Sequence, residues 1–236
     1  MRIDVLTLFP GIFDGYLGQS LLDKAVARGL VEVHLHDIRG WATDKHKSVD
    51  DRPFGGGPGM VMKVDCVVEC VEAVRAKAAD PGHLVMLSPQ GRRLDQRIVE
   101  ELAGNERLLL LCGRYEGFDE RIREILEPDE ISLGDFVLNG GEVAAMAVID
   151  AVIRLVPEVL GDEVSSGDDS FSPPGRLLEF AQYTRPREYR GREVPPVLLG
   201  GNHEDIARWR EASARNKTHK RRADLFGPAE PEPDSK

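Results

Sequence analysis

The chain has 236 residues, a length that suits one large domain or a main domain with a smaller companion. Hydrophobic residues make up 41% and charged residues 31%, as is typical of a folded globular protein. The net charge is −10, and no apolar run reaches the roughly 18 residues that a membrane span needs, so we expect no membrane partner.

Strand and helix patterns alternate through the first 160 residues, which predicts an α/β domain with a mainly parallel sheet. Ser20 is the predicted N-cap of the first helix, and the last helix is apolar nearly all round, which predicts burial on several sides. In chain order, the predicted elements are strand 2–9, helix 20–28, strand 31–37, helix 64–79, strand 84–87, helix 95–103, strand 107–112, helix 118–126, strand 130–133 and a helix from 140–141 to 155.

Three glycine-bearing segments, 88–91, 113–117 and 134–141, directly follow predicted strands. Ligands of parallel α/β sheets bind beyond the carboxyl ends of the strands, and glycine lets a ligand approach the backbone closely. The three segments together therefore predict a ligand pocket. The chain has neither a GxxxxGK[ST] phosphate loop nor a GxGxxG after its first strand. The residues alone thus indicate an unusual nucleotide-like pocket without naming its ligand.

The composition changes after residue 160, which predicts a domain boundary. We expect residues 1–160 to form the main domain and residues 161–174, rich in Gly, Ser, Asp and Pro, a flexible linker. Residues 175–226 are predicted to form a small, mostly helical domain that carries the positive charge. Residues 173–226 hold 12 Lys and Arg against 7 Asp and Glu, whereas residues 1–172 hold 18 against 31. Residues 227–236, with three prolines, are expected to be a disordered tail.

Cysteine usage and the N terminus predict the compartment. The chain has three cysteines, and this small odd number argues for a reducing compartment and against a disulfide framework. Cys66 and Cys70 have no further soft ligands nearby, so we interpret them as buried thiols rather than a zinc site. The first ten residues lack the zones of a secretory signal, and we expect a cytoplasmic protein.

Several motifs carry a resemblance to a known family. They are SPQG at 88–91, GRYEG at 113–117, GDFVL at 134–138, GGE at 140–142, DRPFGGGPGM at 51–60 and DSF at 169–171. With these motifs in order from residue 1 to residue 226, the chain resembles the bacterial tRNA (guanine-N1)-methyltransferases of the SPOUT superfamily. The resemblance implies a deep C-terminal trefoil knot, S-adenosylmethionine as the cofactor, and a homodimer in which two chains complete each site.

The resemblance also implies which residues bind the cofactor. Residues of the three strand-end segments would hold S-adenosylmethionine in a bent shape. These residues are Leu87, Ser88, Pro89, Gln90, Gly113, Arg114, Tyr115, Glu116, Gly117, Leu133, Gly134, Phe136, Leu138, Gly140 and Gly141.

Two residues are implied to be catalytic. Guanine N1 carries a proton at neutral pH, so methyl transfer to it needs a general base, and the resemblance implies Asp169 for this role. Arg154 is implied as the cation beside guanine O6, where negative charge develops. By residue type and position alone, Asp169 is a solvated linker carboxylate and Arg154 a surface or ion-pairing residue. Glu116 is a candidate to orient Arg154 or to bind Mg²⁺, on which the family depends.

The implied substrate is tRNA, with no DNA partner. The acceptor would be the guanosine at position 37, immediately 3′ of the anticodon, and the basic second domain would grip the phosphates. Two alternatives stay open, another SPOUT-class RNA methyltransferase acting on ribosomal RNA or ribose, and a non-catalytic RNA-binding protein. The predicted substrate-binding residues are Arg52, Gly55, Gly56, Gly57, Arg185, Arg208, Arg215 and Lys217.

Overall fold

The computed structural model describes residues 1–160 and 169–227. Most of the predicted linker, residues 161–168, and the predicted tail from residue 228 onward lie outside the described residues. The chain divides into two compact units, Met1–Gly161 and Asp162–Lys236. In the part of the chain that the structure describes, no helix is both long enough and apolar enough to cross a membrane.

A five-stranded, wholly parallel sheet forms the centre of the first unit, as the alternation of strands and helices predicted. Its strands are ordered β2–β1–β6–β5–β7, and β3 and β4 form a separate two-stranded hairpin. The strands are β1 (Arg2–Thr7), β2 (Glu32–Asp37), β3 (Asp50–Asp51), β4 (Val61–Met62), β5 (His83–Arg93), β6 (Arg107–Cys112) and β7 (Asp129–Ser132).

Helices cover both faces of the sheet. Alternate residues of the central strand β6 point to opposite faces: Leu108 and Leu110 belong to one core cluster, and Leu109 and Leu111 to the other. All six residues of β6 are buried, because β6 is an inner strand of the sheet and a core cluster packs on each of its faces. The helices are α1 (Asp14–Leu17), α2 (Ser20–Ala27), α3 (Val64–Arg75), α4 (Gln96–Ala103), α5 (Glu120–Leu126) and α6 (Glu142–Ile153).

The start of α2 and the end of α3 differ from their predictions. Ser20 is not the N-cap of α2; Gln19 holds that position, and Ser20 itself has a φ of +58°. Helix α3 ends at Arg75 rather than at residue 79, since its apolar positions stop at Val74. By contrast, the predicted start of α4 is confirmed: the Asp95 side chain accepts hydrogen bonds from the backbone of Arg97 and Ile98, both at 3.0 Å.

The segment 88–91 was predicted as a loop after a short strand, and this prediction is wrong. Strand β5 continues through it to Arg93, with a shift in its pairing to β7 between Leu87 and Arg92. The shift is an irregularity of the β-bulge type, which lets a strand bend without ending. Gly91 sits so close to the backbone of Glu130 and Ile131 that an added Cβ would overlap it.

A buried ionic cluster ties β1 to its neighbours. Arg107 donates to the carboxylate of Asp4 at 2.8 Å and to the carbonyl of Val74 near the end of α3 at 2.6 Å. His36 lies 2.7 Å from the other carboxylate oxygen of Asp4. Burial raises the pKa of Asp4, but the hydrogen bonds from His36, Arg2 and Arg107 outweigh it and hold this pKa well below its ordinary value.

The described part of the second unit is organised on one long helix. It contains β8 (Glu188–Tyr189), β9 (Arg192–Glu193) and α7 (His203–Arg221). An extended segment runs along α7: Leu178 donates to the Thr218 hydroxyl at 2.9 Å, and Ala181 to the Ser213 hydroxyl at 3.0 Å. These side-chain acceptors satisfy backbone groups that no sheet pairs.

Candidate functional site

A cavity of about 320 Å³ lies at the carboxyl ends of β6 and β7, beside the bulged part of β5 and the start of α6. Of the fifteen predicted cofactor-binding residues, all except Gly134 line it. The cavity therefore lies where the strand-end segments were predicted to form a ligand pocket. The residues that the resemblance implied omit eight further lining residues, several of them within or next to the motifs: Phe118, Glu120, Arg123, Ile131, Ser132, Val137, Asn139 and Ala144.

Two of the predicted cofactor segments are packed directly on each other. The backbone N–H of Gly141 donates to the carbonyl of Gly113 at 2.9 Å. A Cβ added to Gly141 would lie 2.7 Å from the Cys112 Cα, a distance that real Cβ atoms essentially never show. A Cβ at Gly140 would likewise overlap the Arg114 side chain. These glycines therefore bring the segment before α6 against the end of β6, which sets the shape of the cavity.

A buried carboxylate fixes Arg114 at the cavity. Glu142, in the first turn of α6, is 1% exposed, and it accepts hydrogen bonds from the Thr7 hydroxyl at 2.8 Å and from Arg114 Nε at 3.1 Å. Arg114 Nη2 is 2.9 Å from Glu142 Oε2, an ion-pair distance. That oxygen nevertheless accepts no hydrogen bond from any residue within the described ranges. The Arg114 guanidinium also stacks on the Phe9 ring at 4.5 Å.

The family described as tRNA (Guanine-1)-methyltransferase TrmD matches residues 1–228 of this chain. The chain belongs to this TrmD family. A relative from Rhodopirellula baltica, named tRNA (guanine-N(1)-)-methyltransferase, is 63% identical over 96% of this chain and 94% of its own length. Relatives of the same name from Geobacter sulfurreducens and Geobacillus kaustophilus are both 53% identical, over 98% and 96% of the chain and 93% and 91% of their own lengths.

In this TrmD-family chain, the glycine-rich segment predicted to contact substrate is the tip of the β3–β4 hairpin. Arg52 and Gly55 to Gly57 are exposed, and Gly55, Gly56 and Gly57 have φ values of +85°, +81° and +121°. The base of the hairpin adjoins the cavity. Glu116 donates its backbone N–H to the Met60 carbonyl at 2.9 Å, and its side chain packs against Gly59. The structure thus joins the predicted substrate loop to the second cofactor segment.

The two predicted catalytic residues belong to different units. Arg154 is the C-cap of α6 and is half-buried. Asp169 is the first described residue of the second unit and is also half-buried. Its carbonyl accepts from the backbone N–H of Ser172 at 3.2 Å. Among the described residues, 1–160 and 169–227, no group of three or more His, Cys, Asp or Glu side chains is placed to hold a metal ion.

The predicted phosphate contacts of the second unit differ in exposure. Arg185, Arg208 and Arg215 are exposed, and Arg208 pairs with Asp205 on the same face of α7. Lys217 is half-buried and donates to the Phe180 carbonyl at 3.5 Å, so part of its hydrogen-bonding capacity is used within the fold. Of these four residues, the three arginines are therefore the more exposed.

Proposed function

We propose that this chain transfers a methyl group from S-adenosylmethionine to N1 of the guanosine at tRNA position 37, immediately 3′ of the anticodon. One observation carries this proposal: residues of all three predicted cofactor segments meet around a single cavity, in a chain of the TrmD family. The relatives named above support the same activity.

The cavity fits a small-molecule cofactor. Its volume of about 320 Å³ is within the range of ligand pockets, and Gly113, Gly117, Gly140 and Gly141 are among the residues that line it. When bound, S-adenosylmethionine supplies an electrophilic methyl group on a positively charged sulfur. The chain's own part is to hold and orient it, through backbone groups of 113–117 and 134–141 and through the Arg114 side chain that Glu142 fixes.

The chemistry at guanine assigns roles to Asp169 and Arg154. N1 becomes nucleophilic only after its proton leaves, and we assign Asp169 as the base that accepts this proton. The negative charge that results spreads to O6, where we assign the Arg154 guanidinium as the stabilising cation. We also propose Mg²⁺ as a requirement, with Glu116 as a candidate ligand. Since the described residues form no acidic cluster, the other ligands would be oxygens of the RNA or water.

We also propose a knotted fold and a homodimer. Strand β7 lies at one edge of the sheet, yet α6 packs on β6 and β1, so the chain between them crosses the carboxyl ends of β5 and β6. That crossing, pinned by Gly141 on Gly113, supports a trefoil knot. Exposed apolar residues beside the cavity, including Val137 at 85% and Val143 at 56%, support a partner chain that covers them.

We assign the parts of the chain as follows. Residues 1–160 form the cofactor-binding and dimerisation domain, and residues 175–226 form a small, mostly helical tRNA-binding domain. Most of the predicted linker 161–174 and of the predicted tail 227–236 lies outside the described residues. The division of the chain between residues 161 and 162 and the exposed arginines of the second unit support this assignment. Unmodified tRNA is found in the cytoplasm, where we place the protein.

One experiment tests the proposed function. The protein is incubated with labelled S-adenosylmethionine and unmodified tRNA, and the product is mapped. We expect N1-methylguanosine beside the anticodon. A methyl group on ribosomal RNA or ribose would point to another SPOUT-class enzyme, and cofactor binding without turnover to a non-catalytic RNA-binding protein. Asp169→Ala should lower turnover by about two to four orders of magnitude while cofactor binding, followed by calorimetry, stays unchanged.

A further inference from the structure

Phe54 is a large aromatic side chain that is 100% exposed. Aromatic rings of this size are usually buried, because burial removes much apolar surface from water. Its neighbours do not share this character: Pro53 is small and half-buried, and Arg52 and the three following glycines offer no large apolar side chain beside it. A protein partner needs a broader apolar patch, whereas a nucleic-acid base needs only one aromatic face to stack on.

The local backbone directs the Phe54 ring outward. The backbone N–H of Gly56 donates to the Pro53 carbonyl at 3.2 Å, which closes a four-residue turn. Gly55, the third residue of this turn, has a φ of +85°, as a type II turn requires. Phe54 is therefore the second residue, at the corner of the turn. A Cβ added at Gly55 or Gly56 would meet nothing within 4 Å, so the space around this corner is open.

The turn is anchored to the cavity. Strands β3 and β4 pair antiparallel at the base of the hairpin. Met62 donates its backbone N–H to the Gly117 carbonyl at 2.9 Å, and Glu116 donates to Met60 at the same distance. Gly117 and Glu116 both line the cavity. Hence Phe54 lies at the tip of a short hairpin whose base is hydrogen-bonded to residues of the predicted cofactor site.

We propose that Phe54 is a stacking platform for a base splayed out of the tRNA anticodon loop, a role that rests on the function proposed above. Enzymes that modify a base must extrude it from its stack, and an aromatic face offsets part of that cost for the displaced base or its neighbour. Arg52, exposed two residues earlier, adds positive charge of the kind that accompanies stacking rings in single-stranded nucleic-acid sites. Phe54 is thus a positioning residue and takes no part in the proton or methyl transfer.

The test compares Phe54→Leu, which keeps an apolar side chain without a ring, with Phe54→Trp, which keeps a ring. Ile125→Ala, another exposed apolar position of the first unit and not part of the cavity wall, is the matched control. The RNA probes are an unmodified tRNA transcript and three versions of it, each abasic at the target guanosine or at one of its two neighbours. Dissociation constants for RNA and for S-adenosylmethionine are measured separately.

Phe54→Leu should weaken binding of the unmodified transcript about 5- to 150-fold, the range expected for loss of one base–aromatic stack. Cofactor affinity should stay unchanged, and Phe54→Trp should bind RNA like the wild type. One of the abasic transcripts should bind the wild type more weakly, yet show no further loss with Phe54→Leu. If Phe54 had only a structural role, Phe54→Leu would weaken the binding of the intact and the abasic transcripts equally.

Three results would overturn the stacking role. The first is equal weakening of all four RNAs by Phe54→Leu. The second is a change in its sedimentation that places Phe54 in a contact between copies of the chain. If Phe54→Leu binds and methylates tRNA like the wild type, the stacking role fails while the proposed function stands. If the wild type itself binds tRNA but transfers no methyl group, the proposed function fails instead.

Discussion

The carboxylate of Glu142 offers the sharpest test of how the cofactor cavity is held. It joins three distant parts of the chain: Thr7 at the end of β1, Arg114 after β6, and the start of α6. Replacing Glu142 with Gln keeps the shape of the side chain and an oxygen for the Thr7 hydroxyl. It removes the negative charge that faces the Arg114 guanidinium.

The expected magnitude follows from the burial of the two partners. Breaking a fully buried ion pair costs about 3–5 kcal/mol, because the remaining charge is left uncompensated. Arg114 is 20% exposed and keeps its contacts with Phe9 and the Asn139 carbonyl, so its charge stays partly solvated. We therefore expect Glu142→Gln to lower the free energy of unfolding by about 1–3 kcal/mol. Glu142→Ala also orphans the Thr7 hydroxyl, and we expect a loss of about 3–5 kcal/mol.

Urea unfolding measures the stability of both variants, and calorimetry measures their affinity for S-adenosylmethionine. Since Arg114 lines the cavity, both variants should bind the cofactor more weakly than the wild type, with Glu142→Ala the weaker. Thr7→Val is the matched control, because it removes only the hydroxyl and leaves the charge pair intact. Two Glu142 variants within about 0.5 kcal/mol of wild-type stability, with unchanged cofactor affinity, would refute the bracing role.

Three further predictions concern other parts of the first unit. Gly141→Ala should abolish cofactor binding in calorimetry and lower the melting temperature, because the added Cβ has no room beside the end of β6. Gly15→Ala is the control: a Cβ there meets nothing within 4 Å, so cofactor binding and melting temperature should stay unchanged. Asp4 has a lowered pKa in the folded state, so it adds stability above its ordinary pKa of about 4, and this is lost as the pH falls below that value. The free energy of unfolding of Asp4→Asn, measured from pH 7 to pH 2, should therefore fall less steeply with decreasing pH than that of the wild type. An equally steep fall in the two proteins would contradict the lowered pKa of Asp4. Burial raises the pKa of the Cys70 thiol to about 12 and that of Cys112 well above its ordinary value. Iodoacetamide at pH 8 should consequently label neither thiol until denaturant is added, as mass spectrometry of the native and unfolded protein would show.

Much of the fold could be predicted from the sequence because the first unit follows local rules. Strand β6 was predicted with its observed bounds, since its run of leucines has to be buried on both faces of a sheet. The helix predicted over 95–103 likewise lies within one residue of the observed α4, Gln96–Ala103. The prediction failed at 88–91, where Pro89 and Gly91 are typical of a loop. There β5 continues past an irregularity that only its pairing with β7 makes possible.

Sequence by itself determined the three glycine-bearing segments, the residues within them and the family to which the chain belongs, because motifs and periodicity are properties of neighbouring residues. Tertiary structure alone decided that these segments enclose one cavity, and that Glu142 pairs with Arg114 and with Thr7, 135 residues earlier in the chain. It also decided that Phe54 stands on a hairpin braced by the cavity wall. Contacts of this kind depend on how the strands are ordered in the sheet, and no local pattern records that order.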